Sequence, residues 1–133
     1  MKLNEIAEQL YVALVGNRLT LLSEIAIFSG FYGLVKDDSL VWGIPVWAGS
    51  MLFLYTAGGL STVDYFNRTE KHIKRFGRLD ERFSKALIDG TENNGAGGYC
   101  PIQGMYLAAK KYGQLDVFHK AKKDVSNNII PNF

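Results

Sequence analysis

Hydrophobic positions fall into two kinds of pattern: two long apolar runs in the first half of the chain, and stripes of helical period on either side of them. The longer run, Leu40 to Val63 (LVWGIPVWAGSMLFLYTAGGLSTV), continues for 24 residues without Asp, Glu, Lys, Arg or His. At about 1.5 Å per residue, a helix of that length crosses a hydrocarbon core of about 30 Å with some tilt. Buried helices of soluble proteins usually keep a polar stripe, so the run predicts a transmembrane helix. The rival is the central helix of a soluble all-α protein. Trp42 near one end, and Tyr65 and Phe66 beyond the other, lie where interfacial aromatics gather.

The second run, Leu19 to Val35, predicts a companion span. Its 17 residues are at the short end for a crossing and include Glu24, so a re-entrant helix is the alternative. Lys36–Ser39 is too short a turn to make the two helices anything but antiparallel neighbours. Small residues let their backbones approach: Ala26, Ser29, Gly30 and Gly33 on the first, Gly43, Ala48, Gly49, Ala57, Gly58 and Gly59 on the second. Pro45 falls in the first turns of its helix, where a missing N–H costs little.

The flanks are amphipathic. Asn4 is a fair N-cap, and Leu3, Ile6, Leu10 and Ala13/Leu14 recur at helical spacing as a stripe suited to a membrane surface or a partner. Gly16-Asn17-Arg18 marks a weak break before the first span. After Val63, the stripe Phe66, Ile73, Phe76, Leu79, Phe83 and Leu87 predicts one helix ending at Asp89-Gly90, with a bend at Gly77. Thr91–Gly98 reads as a loop. A helix from Pro101 to Lys111 follows, with cations in its last turn and Gly113 beyond. A last helix covers Leu115 to about Val125, and Asn127–Phe133 forms an irregular end.

The expected fold is an all-α membrane protein. An amphipathic helix over 1–18 precedes a two-helix transmembrane hairpin over 19–63, with spans of about 19–35 and 40–63. A small helical cytoplasmic domain occupies 64–133.

Charge gives the hairpin a direction. Of 15 Lys and Arg and 13 Asp and Glu, residues 1–63 hold three and five, leaving twelve and eight for 64–133. A slightly acidic apolar half thus precedes a basic polar half. The bias of cations toward the cytoplasm places both termini there and the Lys36–Ser39 turn outside. No cleavable leader is visible in MKLNEIAEQ, so the helices themselves would direct insertion.

Candidate chemistry is sparse. Glu24 inside a span is a relay or ligand candidate, or a carboxylate near enough to the interface to snorkel. The single cysteine, Cys100, excludes an internal disulfide. At a helix start it is a reactive-thiol candidate, although small buried cysteines are the commoner case. His72 and His119 lack the clustered spacing of metal ligands, so no metal or other cofactor is expected. Gly95–Gly98 and Gly104 do not match a phosphate-loop spacing. Arg68, Lys71, Lys74, Arg75 and Arg78 form the strongest interaction feature, suited to anionic lipid or a partner protein. Their charge density is too low for nucleic acid.

These features point to a small accessory or structural subunit of a larger membrane complex. It would pack through Gly30, Gly33, Gly49, Gly58 and Gly59, with no catalytic constellation of its own. The alternatives are a self-associating, holin-like hairpin that forms pores or remodels membrane, and a thiol-dependent or redox membrane protein using Cys100.

Overall fold

A computed structural model describes residues 2–56, 59–91 and 99–125. Gly58, the glycines of the 91–98 loop and the Asn127–Phe133 end lie outside the described residues. Among those described, every regular element is helical: α1 (Leu3–Leu14), α2 (Arg18–Asp37), a 3₁₀ turn (Leu40–Trp42), α3 (Gly43–Tyr55), α4 (Leu60–Phe76), α5 (Glu81–Asp89), α6 (Tyr99–Lys111) and α7 (Leu115–Val125).

Side chains at the breaks explain where the helices stop and start. α1 closes at Val15, and Asn17 begins the second helix: its Oδ1 accepts from the N–H groups of Leu19 at 2.9 Å and Thr20 at 3.5 Å. Both are donors that a helix start leaves unpaired. Asp38 takes the left-handed conformation (φ 48°) that closes α2, and Trp42 donates from Nε1 to Asp37 at 3.1 Å across the turn. Asp80 caps α5 by accepting from the Arg82 N–H at 2.7 Å.

Three boundaries differ from the sequence expectation. The helix predicted over Leu40–Val63 is divided: its apolar core is the 3₁₀ turn and α3, which stop at Tyr55, and Leu60–Val63 belong to α4. Gly59, at φ 83°, supplies a left-handed step that a continuous helix does not contain. The long basic helix is also two helices, because Gly77 (φ 76°) ends α4 outright where a bend was expected. At the amino end, Lys2 occupies the N-cap position instead of Asn4, and Glu5 accepts from the Lys2 N–H at 3.3 Å.

The first four helices form two antiparallel legs. Gly33 faces the Trp42 indole, Gly30 faces Val46, Gly49 faces the Ser23 carbonyl, and Thr20 bonds Thr56, so each step down α2 meets a step up α3. The pairing continues past the breaks: Gly59 abuts the Ala13 carbonyl, Gln9 exchanges amide hydrogen bonds with Asn67 at 2.9 and 3.0 Å, and Glu8 and Glu70 share Lys111. Both legs therefore change helix at the same level.

Of the remaining helices, α6 packs along α4, and α5 packs on α7. Gly104 lets α6 approach so nearly that an added methyl would stand 2.9 Å from the Phe66 nitrogen. Tyr65, Ile73, Ile102, Met105 and Phe118 lead the core that α4, α6 and α7 share. Val12 joins Phe66 and Ala108 in a smaller cluster that ties α1 to the same body.

Candidate functional site

The distal half of the legs turns its apolar side chains outward. Phe28, Val35, Leu40, Trp47 and Leu54 are exposed by 73, 86, 91, 68 and 73%, although they belong to the two long apolar runs of the chain. Among the described residues, Arg18–Asp37 and Leu40–Phe76 are the two helical stretches long and apolar enough to cross a membrane, the second taking in the 3₁₀ turn, α3 and α4. Of their most apolar windows, 22% and 12% are buried within the protein.

Between the two helices the contact is close. A methyl group at Gly30 would stand 2.5 Å from Val46 Cγ2, and one at Gly49 would stand 2.7 Å from the Ser23 carbonyl. At Gly33 it would strike the Trp42 indole. Gly30, Gly33 and Gly49 are therefore occupied by the chain's own hairpin. Gly59 contacts α1 instead. Hydroxyls along the seam bond the helix backbone: Ser23 Oγ donates to the Thr20 carbonyl at 2.6 Å, and Ser50 Oγ to the Val46 carbonyl at 2.7 Å. Glu24 is half-buried beside this seam, and among the described residues it makes no hydrogen bond or ion pair.

A buried polar junction lies where the legs change helix. Asn17, Thr20, Ser23, Thr56 and Thr62 have no exposed surface. Asn17 Nδ2 donates to Thr62 Oγ1 at 3.3 Å, Thr20 Oγ1 to Thr56 Oγ1 at 3.1 Å, and Thr56 Oγ1 is also 3.1 Å from the Phe53 carbonyl, an acceptor. The Cys100 thiol reaches the same junction. Burial pushes its pKa up, and a hydrogen bond with the Asn17 side chain only partly opposes that rise. With no exposed surface and a pKa above the ordinary thiol value, Cys100 is held as a neutral thiol; a nucleophile needs the opposite. This junction is absent from the sequence reading. Its one local signal is Thr20 and Ser23 on the helix face that also carries Gly30.

The basic residues divide by surroundings. Lys74 faces α1 and pairs with Glu70 at 3.3 Å, within the group that also holds Glu8 and Lys111. Burial would raise the Glu70 pKa, but the hydrogen bonds and charges of Lys111 and Lys74 outweigh it and hold the carboxylate low. Lys111 loses some stability as a cation through burial, yet Glu70 and Glu8 hold it above the ordinary lysine range. This cluster fastens α1 to α4 and α6.

Arg68, Lys71 and Arg75 lie on a different face and open onto a groove between α4 and α5. Its volume is about 370 Å³, and His72, Phe76, Phe83 and Leu87 complete its lining. Arg68 pairs with Asp64 at 3.1 Å, and its guanidinium lies 5.1 Å from the centre of the Tyr65 ring. The His72 ring stacks on Phe83 with centroids 3.8 Å apart and planes 2° from parallel. His72 Nε2 accepts from the Asp80 N–H at 3.3 Å. Burial lowers the imidazole pKa against the opposing charge of Asp80. Arg78 falls outside this set, beside a separate hollow lined by Leu79, Glu81 and Gln114. Among the described residues, no three His, Cys, Asp or Glu side chains are grouped to hold a metal ion. Comparison of the chain with protein-family models, curated proteins and solved structures finds no match.

Proposed function

We propose that this protein is a small integral-membrane accessory subunit: α2 and α3 lie in the bilayer as a hairpin, and α4–α7 form a helical body on the cytoplasmic side that meets partner subunits and lipid. The observation that carries the reading is the exposure of the hairpin. A central helix in a soluble protein is mostly enclosed by its own chain, whereas 78% of one apolar window and 88% of the other lie unburied here. Apolar surface on that scale requires lipid or protein cover.

Dimensions agree with a crossing. The 20 residues of α2 span about 30 Å, and the 3₁₀ turn with α3 spans about 26 Å. Seam hydroxyls that bond helix carbonyls are the arrangement a hydrocarbon environment demands. The buried Asn17–Thr62 level then meets the inner interface, where the chain becomes basic. Because Gly30, Gly33 and Gly49 are used within the hairpin, partner contact falls to other surfaces. Leu3, Ile6, Leu10 and Leu14 on α1 offer one, exposed by 79, 41, 55 and 44%.

Purification of the tagged full chain from its native membranes in mild detergent tests the assignment. The expected result is one larger assembly with a second protein in fixed stoichiometry, and no homo-oligomeric ladder after cross-linking. A ladder of this chain alone, with leakage of membranes on expression, would establish the self-associating hairpin instead. A lone monomer would overturn both.

A further inference from the structure

We propose that the groove between α4 and α5 is a headgroup site for an anionic phospholipid of the leaflet from which α4 emerges, with Arg68, Lys71 and Arg75 holding the phosphate and Phe76 resting among the glycerol and upper acyl carbons. The inference builds on the membrane reading given above.

Charge complementarity selects the occupant. Three cations line the groove, and no carboxylate does. Asp64, which is not part of that lining, engages Arg68 at 3.1 Å, while Lys71 and Arg75 make no ion pair among the described residues. Their positions repeat at intervals of three and four along α4, so they share one helix face. The floor is aromatic and apolar. His72 is fixed by its stack on Phe83, and Phe76 is 61% exposed with the Arg75 guanidinium 5.3 Å from its ring centre. A small hydrated anion has no use for that floor. An amphiphile uses both parts of the groove, whose volume falls within the range of ordinary ligand sites.

Position along the chain agrees. Arg68 is eight residues past Leu60, about 12 Å along the helix, and helical side chains lean toward the N-terminus, here back toward the bilayer. The left-handed step at Gly59 separates the direction of α4 from that of α3. Engaging lipid would draw the α4–α5 corner toward the surface, with exposed Phe76 entering the interface as aromatics do.

The test reconstitutes the full chain into vesicles of phosphatidylcholine alone or with one fifth phosphatidylglycerol. Native mass spectrometry then counts the phospholipids retained after detergent release. Co-flotation with the zwitterionic vesicles reports membrane insertion independently, so failure there overturns the parent reading and failure of lipid selection alone overturns this one. Phosphatidylglycerol should be retained in preference, and Lys71→Ala and Arg75→Ala should each weaken that preference about fivefold. Lys123→Ala, on α7, should leave it unchanged. Equal retention of the two lipids, or equal losses in all three variants, would overturn the proposal. Displacement of the bound lipid by millimolar inorganic phosphate would overturn it too, because the site would then be one for a free anion.

Discussion

His72 shows how one side chain can join two helices and make their contact depend on pH. Its ring lies flat on Phe83, and its Nε2 accepts from the Asp80 N–H, a bond that only an unprotonated Nε2 can make. Asp80 faces it from the turn, and Arg68, Lys71 and Arg75 surround it on α4. Burial lowers its folded pKa below the ordinary 6.5, so the unfolded chain binds the proton more readily. Stability from this group is therefore complete at neutral pH, falls as pH drops below about 6.5, and levels off beneath the folded value. Thermal unfolding of the detergent-solubilised chain at pH 7.5 and 5.5 should show a larger loss for the parent than for His72→Gln. Equal losses would exclude His72 as the titrating group. None of this was legible at the residue in the sequence. In the sequence His72 lies between Arg68, Lys71 and Arg75, and its partners Asp80 and Phe83 meet it only when α5 folds back.

At the scale of elements, the glycines divide into those that serve contact and those that serve conformation. Gly30, Gly33 and Gly49 permit the α2–α3 approach, whereas Gly77 ends α4 with nothing within 4 Å of an added Cβ. Gly59 does both, combining φ 83° with the Ala13 carbonyl. Gly77→Ala should then cost about 1–2 kcal/mol of backbone strain. Gly59→Ala should cost clearly more, since similar strain adds to a clash with backbone that cannot rotate away. Chemical denaturation of the two variants measures the difference, and equal costs would show that the Gly59–Ala13 contact adds nothing to stability. The sequence disclosed the two apolar runs and the short turn between them, because uncharged length is a local property. It concealed the division of the longer run, because TAGGL reads equally as packing surface and as a break. The polar junction was concealed for another reason. Asn17 meets Thr62, and Thr20 meets Thr56, only after both legs have paired.

For the whole molecule, one asymmetry organises the rest. α4, α6 and α7 enclose a core led by Met105 and Phe118, both without exposed surface, while α2 and α3 carry their apolar side chains outward. The same chain thus keeps one hydrophobic interior and one hydrophobic exterior, joined at the level of Asn17, Thr20, Thr56, Thr62 and Cys100. Burying that many hydroxyl, amide and thiol groups is tolerable because they bond one another and the helix ends. Sequence composition suggested the two halves through their charge, but it placed the boundary at Val63, inside what is one continuous helix from Leu60 to Phe76. Alkaline carbonate extraction of membranes from cells making this protein separates a bilayer-spanning hairpin from a peripheral or soluble bundle. The protein should stay in the membrane pellet and be released only by detergent; its appearance in the carbonate supernatant would contradict a bilayer-spanning hairpin.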